Sequence, residues 1–396
     1  MTNVVKSVQS AVMHNQEATA IDGEEPLSFA ELWSRTDEFA GGLRNRGITA
    51  GDAVGIHLSN PHAFLIAFYG TLRNGCVPVT VPPSYDNGDV ATVLTETEST
   101  ALVTDKRRIM SILANAETLR VAVTVDADVR MGVDWSAFLE NDGMNGSGSR
   151  TGIDLVSRGE DDCGLIAYVR RDESGPVGVA YTHSTLQSAA TVGSTIQTDG
   201  EAVSHLGTLS LSNPIELLYG ANAAIVSGGR YDPLPDGEPT TVRSVLDTTD
   251  IERTFVTPQQ FAELREREAD QDGITLLQPT KRATETAETA TCLRGLPETG
   301  ITHVKSPTDD ASRLGDPLPD IETRVLETND GAGELAIRGP TCMKEYVGRP
   351  EITDATVTMA DGVRWIRTGL PVEIRNGEIV LDQTADPIRT SSATPS

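Results

Sequence analysis

Segments of helical and strand periodicity alternate along the first third of this chain, and that rhythm excludes most fold classes. Phe29, Leu32, Trp33, Phe39, Ala40 and Leu43 recur at helical spacing behind Ser28-Phe29-Ala30-Glu31. Those four residues spell a capping box, in which Ser28 accepts from the backbone N–H of Glu31 and the Glu31 carboxylate reaches back. Gly47 ends the helix, and Gly51-Asp52 turns the chain into a strand over Ala53 to Leu58. Asn60-Pro61 starts a second helix with Phe64, Leu65, Phe68 and Leu72 on its buried face, and Gly75 stops it before a strand over Cys76 to Val81. The alternation continues through helical Val90 to Glu96, strand Ala101 to Thr104, helical Ile109 to Leu113 and strand Val121 to Val125. It predicts βαβ units and a largely parallel sheet.

From Gly315 the pattern changes. Ile321 to Leu326, Gly333 to Arg338, Val363 to Arg367, Val372 to Ile374 and Glu378 to Leu381 read as short strands separated by turns, which predicts a compact β-subdomain. Asn141 to Thr151 is a Gly/Ser-rich connector, and Thr280 to Thr291 lacks an apolar stripe and reads as a solvated segment. Thr390 to Ser396 is a polar tail.

Composition narrows the function classes. The 396 residues carry a net charge of −26, and only five of the 32 basic residues are lysine. Such a surface stays hydrated at high salt, so adaptation to a salty cytoplasm is the expectation. Nucleic-acid binding is disfavoured, because phosphate neutralisation needs a basic patch. Cys76, Cys163, Cys292 and Cys342 are widely spaced, with neither metal-ligand spacing nor a disulfide framework, which fits a reducing, cytoplasmic location. The N-terminus lacks a signal-peptide pattern, and the longest apolar run, Ala63 to Leu72, is too short to span a bilayer.

Tyr168 to Val179 reads Y-V-R-R-D-E-S-G-P-V-G-V and leads into a helix start at Thr182-His183-Ser184. It resembles the phosphate loop Y-T-S-G-T-T-G-x-P-K-G-V of the adenylate-forming superfamily, the acyl-CoA synthetases, luciferases and peptide-synthetase adenylation domains. Tyr168, Pro176, Gly178 and Val179 fit that pattern, while Val177 takes the lysine position and Val169 to Ser174 replace its hydroxyls and glycines. A triphosphate cradle needs small residues, free N–H groups and positive charge. Arg170 and Arg171 offer charge for an anion, but Asp172 and Glu173 neutralise them locally.

The resemblance covers nearly the whole chain. The opening L-S-F-A-E-L, G-I-T-A-G-D-A-V-G-I-H-L-S-N and N-G-C-V-P-V are scaffold residues. Asn213 takes the position of a family histidine. The family's Y-G-x-T-E matches Arg294-Gly295-Leu296-Pro297-Glu298, so the adenine-stacking tyrosine is Arg294, the phosphate-contacting threonine is Pro297, and Gly295 and Glu298 are retained. Glu298 holds the family's magnesium-ligand position. One carboxylate without further acids is a weak magnesium site, so a hydrogen-bonded loop glutamate is the plainer expectation. Gly315 to Pro319, Gly333-Glu334-Leu335, Arg338-Gly339 and Tyr346 match motifs assigned to the β-subdomain. The family's T-G-D becomes Thr368-Gly369-Leu370, and leucine cannot accept from ribose hydroxyls. The hinge motif matches Asp382 to Arg389, with Asp386 and Ile388 kept and Gln383 in place of arginine.

This resemblance implies an α/β fold of two packed βαβ-type subdomains with largely parallel sheets, residues 1–303, and a β-barrel-like subdomain, residues 304–389. The family's small C-terminal domain is expected to be absent. Tyr168, Pro176, Gly178, Gly295, Glu298, Thr368, Gly369 and Asp386 are then remnants of an ATP site, with ATP and magnesium the implied cofactors and an acyl or carboxylate molecule the implied ligand. Two functions follow. One is a non-catalytic binding or regulatory subunit with a protein partner. The other is an active acyl-CoA ligase that borrows a C-terminal domain in trans.

Overall fold

The capping box forms as read. Ser28 Oγ accepts from the Glu31 N–H at 3.2 Å and the Glu31 carboxylate accepts from the Ser28 N–H at 2.8 Å, opening the helix Phe29–Arg44. Asn60 caps the next helix, Pro61–Arg73, by accepting from the Ala63 N–H at 3.0 Å. A computed structural model describes residues 4–382 apart from 107–108, 127–130, 141–154, 171–174, 197–201, 235–236, 238, 249, 267–273, 280–290, 311 and 330–331. The Gly/Ser-rich connector, nearly all of the Thr/Ala/Glu-rich segment, the polar tail and Asp386 lie outside the described residues; Thr291 opens a strand.

Three sheets result. In the eight-stranded one, Val77–Thr80, Ala53–His57, Ala101–Thr104 and Val121–Thr124 run parallel in that spatial order. Cys163–Arg170 adds in parallel beside Val77–Thr80, then pairs antiparallel with Pro176–Thr182, whose far edge carries Glu345–Tyr346. The nine-stranded sheet has a parallel centre of Arg230–Pro233, Ser204–Gly207, Arg253–Val256, Ile274–Pro279 and Thr291–Leu296. Gly300–Lys305 turns back antiparallel on Thr291–Leu296, and Asp316–Pro317 follows. The parallel reading is therefore right for both large sheets.

The β-subdomain needs three corrections. Its five strands form an open antiparallel sheet, Glu322–Asn329, Ala332–Arg338, Val363–Arg375 and Val357–Ala360, with Glu378–Leu381 pairing Val363–Arg375; no closed barrel is formed among the described residues. The two strands expected over Val363–Arg367 and Val372–Ile374 are one strand, because Thr368-Gly369 is absorbed as a bulge rather than a turn. Tyr346, expected in this subdomain, pairs instead with Val179 in the eight-stranded sheet.

The helix Pro61–Arg73 is buried from Ala63 to Arg73, and its apolar residues belong to the largest core cluster. A Cβ on Gly70 would lie 2.7 Å from the Phe39 ring, so glycine is what lets this helix approach Phe29–Arg44. Among the described residues no helix is long and apolar enough to cross a membrane.

Candidate functional site

The described part of the phosphate-loop match lies on the antiparallel strand pair Cys163–Arg170 and Pro176–Thr182. Tyr168 pairs with Gly178, and Arg170 with Pro176. The Tyr168 ring is buried, and a Cβ on Gly178 would stand 2.9 Å from it. Gly178 is therefore required by packing here. The Tyr168 hydroxyl donates to Glu96 at 2.9 Å, and Arg349 pairs with the same carboxylate. Burial, then the Glu96 charge, pushes the phenol up. Val177, at the lysine position, is 1% exposed and belongs to the main core. Residues 171–174 lie outside the described set, as does the Arg170 side chain.

Glu298 sits in the turn that joins Thr291–Leu296 to Gly300–Lys305. That turn is clamped from several sides. Tyr346 Oη donates to Glu298 Oε1, and the Met343 N–H donates to the Glu298 carbonyl at 2.8 Å. Tyr181 Oη donates to the Pro297 carbonyl at 2.7 Å, and Thr341 to the Thr299 carbonyl at 2.8 Å. Gly295 allows close strand approach, since a Cβ there would lie 2.4 Å from the Gly300 carbonyl. Tyr181 and Tyr346 thus bring the strand pair of Tyr168 and the turn of Glu298 together. Neither tyrosine was singled out as a site residue by the sequence reading; their only signal was their place beside recognised motifs.

Arg294, at the adenine-stacking position, is fully buried and donates to the Arg313 carbonyl at 2.9 Å. Burial lowers its guanidinium from the usual range. Burial and the Arg294 charge push the imidazole of His303, opposite it in the sheet, down to about 4. Thr368 donates to the Leu335 carbonyl at 2.7 Å, and the Gly369 N–H donates to Glu334 at 2.8 Å. Gly369 takes φ +70°, a left-handed bulge conformation that favours glycine. Leu370 is 1% exposed in the core of the third sheet. Thr368 and Gly369 make these bonds within that sheet. Asn213 caps its own turn, accepting from the Ile215 N–H at 3.0 Å. The described residues include no group of three or more His, Cys, Asp or Glu suited to a metal ion.

A second polar cluster escaped the sequence reading. Glu216 opens a one-turn π-helix, Glu216–Ala221, and is fully buried. Its Oε1 contacts His205 Nε2 at 3.1 Å and accepts from Tyr231 Oη at 3.3 Å. Arg253 Nε donates to His205 Nδ1 at 3.2 Å, so a neutral imidazole carries its proton on Nε2 and donates it to Glu216. The His205–Glu216 contact is a neutral hydrogen bond rather than an ion pair: burial raises the carboxyl to about 8 and drives the imidazole well below its ordinary range. The detectable signal was an acid inside the apolar run from Ile215 to Val226.

The chain matches the model of the AMP-binding enzyme family over residues 8–347. It belongs to that family. It is 25% identical over 386 residues to 2-hydroxy-7-methoxy-5-methyl-1-naphthoate–CoA ligase of Streptomyces carzinostaticus, covering 88% of this chain and 68% of that protein. It is 34% identical over 131 residues to a salicyl-AMP ligase/salicyl-S-ArCP synthetase of Mycobacterium tuberculosis, covering 30% of this chain and 23% of that protein. The fold matches the anthranilate CoA ligase AuaEII in complex with anthranoyl-AMP, at TM-score 0.83 and 14% identity over 96% of this chain and 77% of that one. It also matches the N-terminal domain of FACL13 from Mycobacterium tuberculosis, at TM-score 0.81 and 19% identity over 96% and 99%.

Proposed function

We propose that this chain is a degenerate acyl-CoA-ligase-like protein that no longer adenylates by the family's route and serves as a binding or regulatory subunit for an acyl or carboxylate ligand or a protein partner. The observation that carries this reading is Val177, packed into the main core at the position where the motif places the phosphate-contacting lysine. Three further positions agree with it. Leu370 is in the core instead of presenting a carboxylate to ribose, Arg294 is buried where an aromatic ring stacks on adenine, and Pro297 lacks hydroxyl and N–H. The residues present do not fit magnesium triphosphate: Glu298 is one carboxylate, with one oxygen already taken by Tyr346.

Removing one group that stabilises a developing charge costs about 2–4 kcal/mol of transition-state stabilisation, by analogy with deleted oxyanion donors. Several such replacements in one site leave little adenylation, although their effects are not additive. Exchange of labelled pyrophosphate into ATP, with benzoate, salicylate, anthranilate and octanoate as trial acids, is the test. Exchange at background level is expected. Acid-dependent exchange would favour the other reading, an active acyl-CoA ligase.

A further inference from the structure

The widened turn Glu216–Ala221 runs straight into the helix Asn222–Val226, and the Asn222 N–H donates to the Leu217 carbonyl, five residues back. Turns of this kind recur at functional sites. This one carries two buried side chains that face different parts of the molecule. On one side is the Glu216 carboxyl, whose Oε1 meets both His205 Nε2 and Tyr231 Oη. Its Oε2 is buried and has no hydrogen-bond partner among the described residues. Oε1 is thus the acceptor of two donors, and the proton of the neutral acid belongs on Oε2. The turn is seated directly on this contact: a Cβ on Gly220 would lie 2.7 Å from His205 Nε2 and 2.9 Å from Glu216 Oε1. On the other side is Tyr219. Its hydroxyl lies against Gly300, in the turn of Glu298, where a Cβ would collide with it.

A charged Glu216 would be poorly served here. The titratable or charged groups that face it among the described residues are His205, Tyr231 and Arg253, on the strands Ser204–Gly207, Arg230–Pro233 and Arg253–Val256. The helices packed on the turn, His183–Thr195 and Asn222–Val226, add no acidic or basic side chain except His183, at the other end of its helix from Gly193. Burial holds His205 well below and Tyr231 well above their ordinary ranges, so both are neutral near pH 7. Arg253 is the cation of the cluster, and its N–H groups are committed elsewhere. Nη1 donates to the Gly193 and Ile196 carbonyls at 2.5 and 3.1 Å, Nη2 to the Tyr219 carbonyl at 2.9 Å, and Nε to His205. A carboxylate accepts at both oxygens, and a buried one without donors is costly. Serving Oε2 requires either that Arg253 leave the Tyr219 carbonyl or that water enter, and each of these opens the turn. Burial raises the carboxyl to about 8, so the proton leaves in mildly alkaline solution.

We propose that Glu216 is a proton-controlled latch: protonated, it holds the widened turn closed and Tyr219 against Gly300; deprotonated, it lets the turn open and loosens the turn that carries Glu298. The latch is independent of whether ATP binds. Hydrogen exchange of the full chain, followed by mass spectrometry at about pH 6.5 and about pH 8 and corrected for the intrinsic rate, tests it. Peptides covering 213–226 and 296–302 are expected to exchange at least about tenfold faster at the higher pH, while the strands Ala101–Thr104 and Val121–Thr124 keep their protection. Glu216→Gln keeps a neutral head and is expected to abolish the pH effect in both peptides. Tyr231→Phe removes a donor that favours the charged carboxylate and is expected to move the midpoint of opening to higher pH. No pH effect at 213–226, an effect there without one at 296–302, or an equal effect in the two control strands would overturn the proposal. So would an effect that persists in a folded Glu216→Gln protein, or a midpoint unmoved in Tyr231→Phe.

Discussion

The hydroxyl of Tyr346, on the edge of the eight-stranded sheet, donates to the carboxylate of Glu298, in a turn of the nine-stranded sheet. A retained acid is thereby used to tie two sheets together. A hydrogen bond to a charged group is worth about 1.5–3 kcal/mol. Tyr346→Phe is therefore expected to lower the urea unfolding free energy by about 2 kcal/mol. An unchanged midpoint and slope would mean that this bond contributes nothing.

Restoring the motif at Val177 is expected to fail. Its side chain is enclosed by the core, so Val177→Lys places an ammonium group where desolvation penalises charge. The variant should lose several kcal/mol of stability, on the order of 3–5, and gain no affinity for magnesium-ATP. Thermal unfolding and calorimetry check both halves; a stable variant that binds ATP would show that position 177 faces the nucleotide.

Glu216 makes stability depend on pH in a predictable sense. Its folded pKa of about 8 lies above the ordinary 4.5. The folded state therefore holds the proton more tightly. This contribution is complete below the unfolded value and is lost as pH rises through the folded one. Buried histidines titrate in the opposite sense at or below their ordinary 6.5, and the four cysteine thiols, raised by burial, add a fall of the same sign only as pH nears their ordinary 9, so the carboxyl dominates between about pH 7 and 8. The unfolding free energy should fall between about pH 7 and 8, and Glu216→Gln should flatten that fall. A slope unchanged by Glu216→Gln would assign it to another group.

The acidic surface predicts a response to salt. With a net charge of −26, self-repulsion is relieved as the screening length shrinks from about 10 Å at 0.1 M to about 3 Å at 1 M salt. Exposed pairs such as Arg324–Asp361 and Arg338–Glu322 weaken at the same time, but such pairs are worth little. The melting temperature should rise on adding molar potassium chloride, and a fall would reverse this reading of the composition.

Much of the fold was legible in the sequence, because periodicity and caps are local signals. Ser28, Asn60 and Gly75 marked their elements, and Ala101 to Thr104 and Glu378 to Leu381 were placed residue for residue. The third sheet was harder to read, because Thr368-Gly369 looks like a turn and only pairing with Ala332–Arg338 makes it a bulge. Tyr346 was misplaced for a similar reason: its neighbours in sequence build one sheet while its own backbone pairs with another. The motif matches located Glu298 and the Tyr168 strand pair, but the tyrosines that join them, and the Glu216–His205–Arg253 cluster, depend on contacts between residues far apart in sequence.

Titration of the folded chain with magnesium-ATP by calorimetry, in molar potassium chloride, tests the central claim most directly. The account predicts no binding heat. A saturable heat that disappears in Glu298→Gln would contradict it and establish a working nucleotide site.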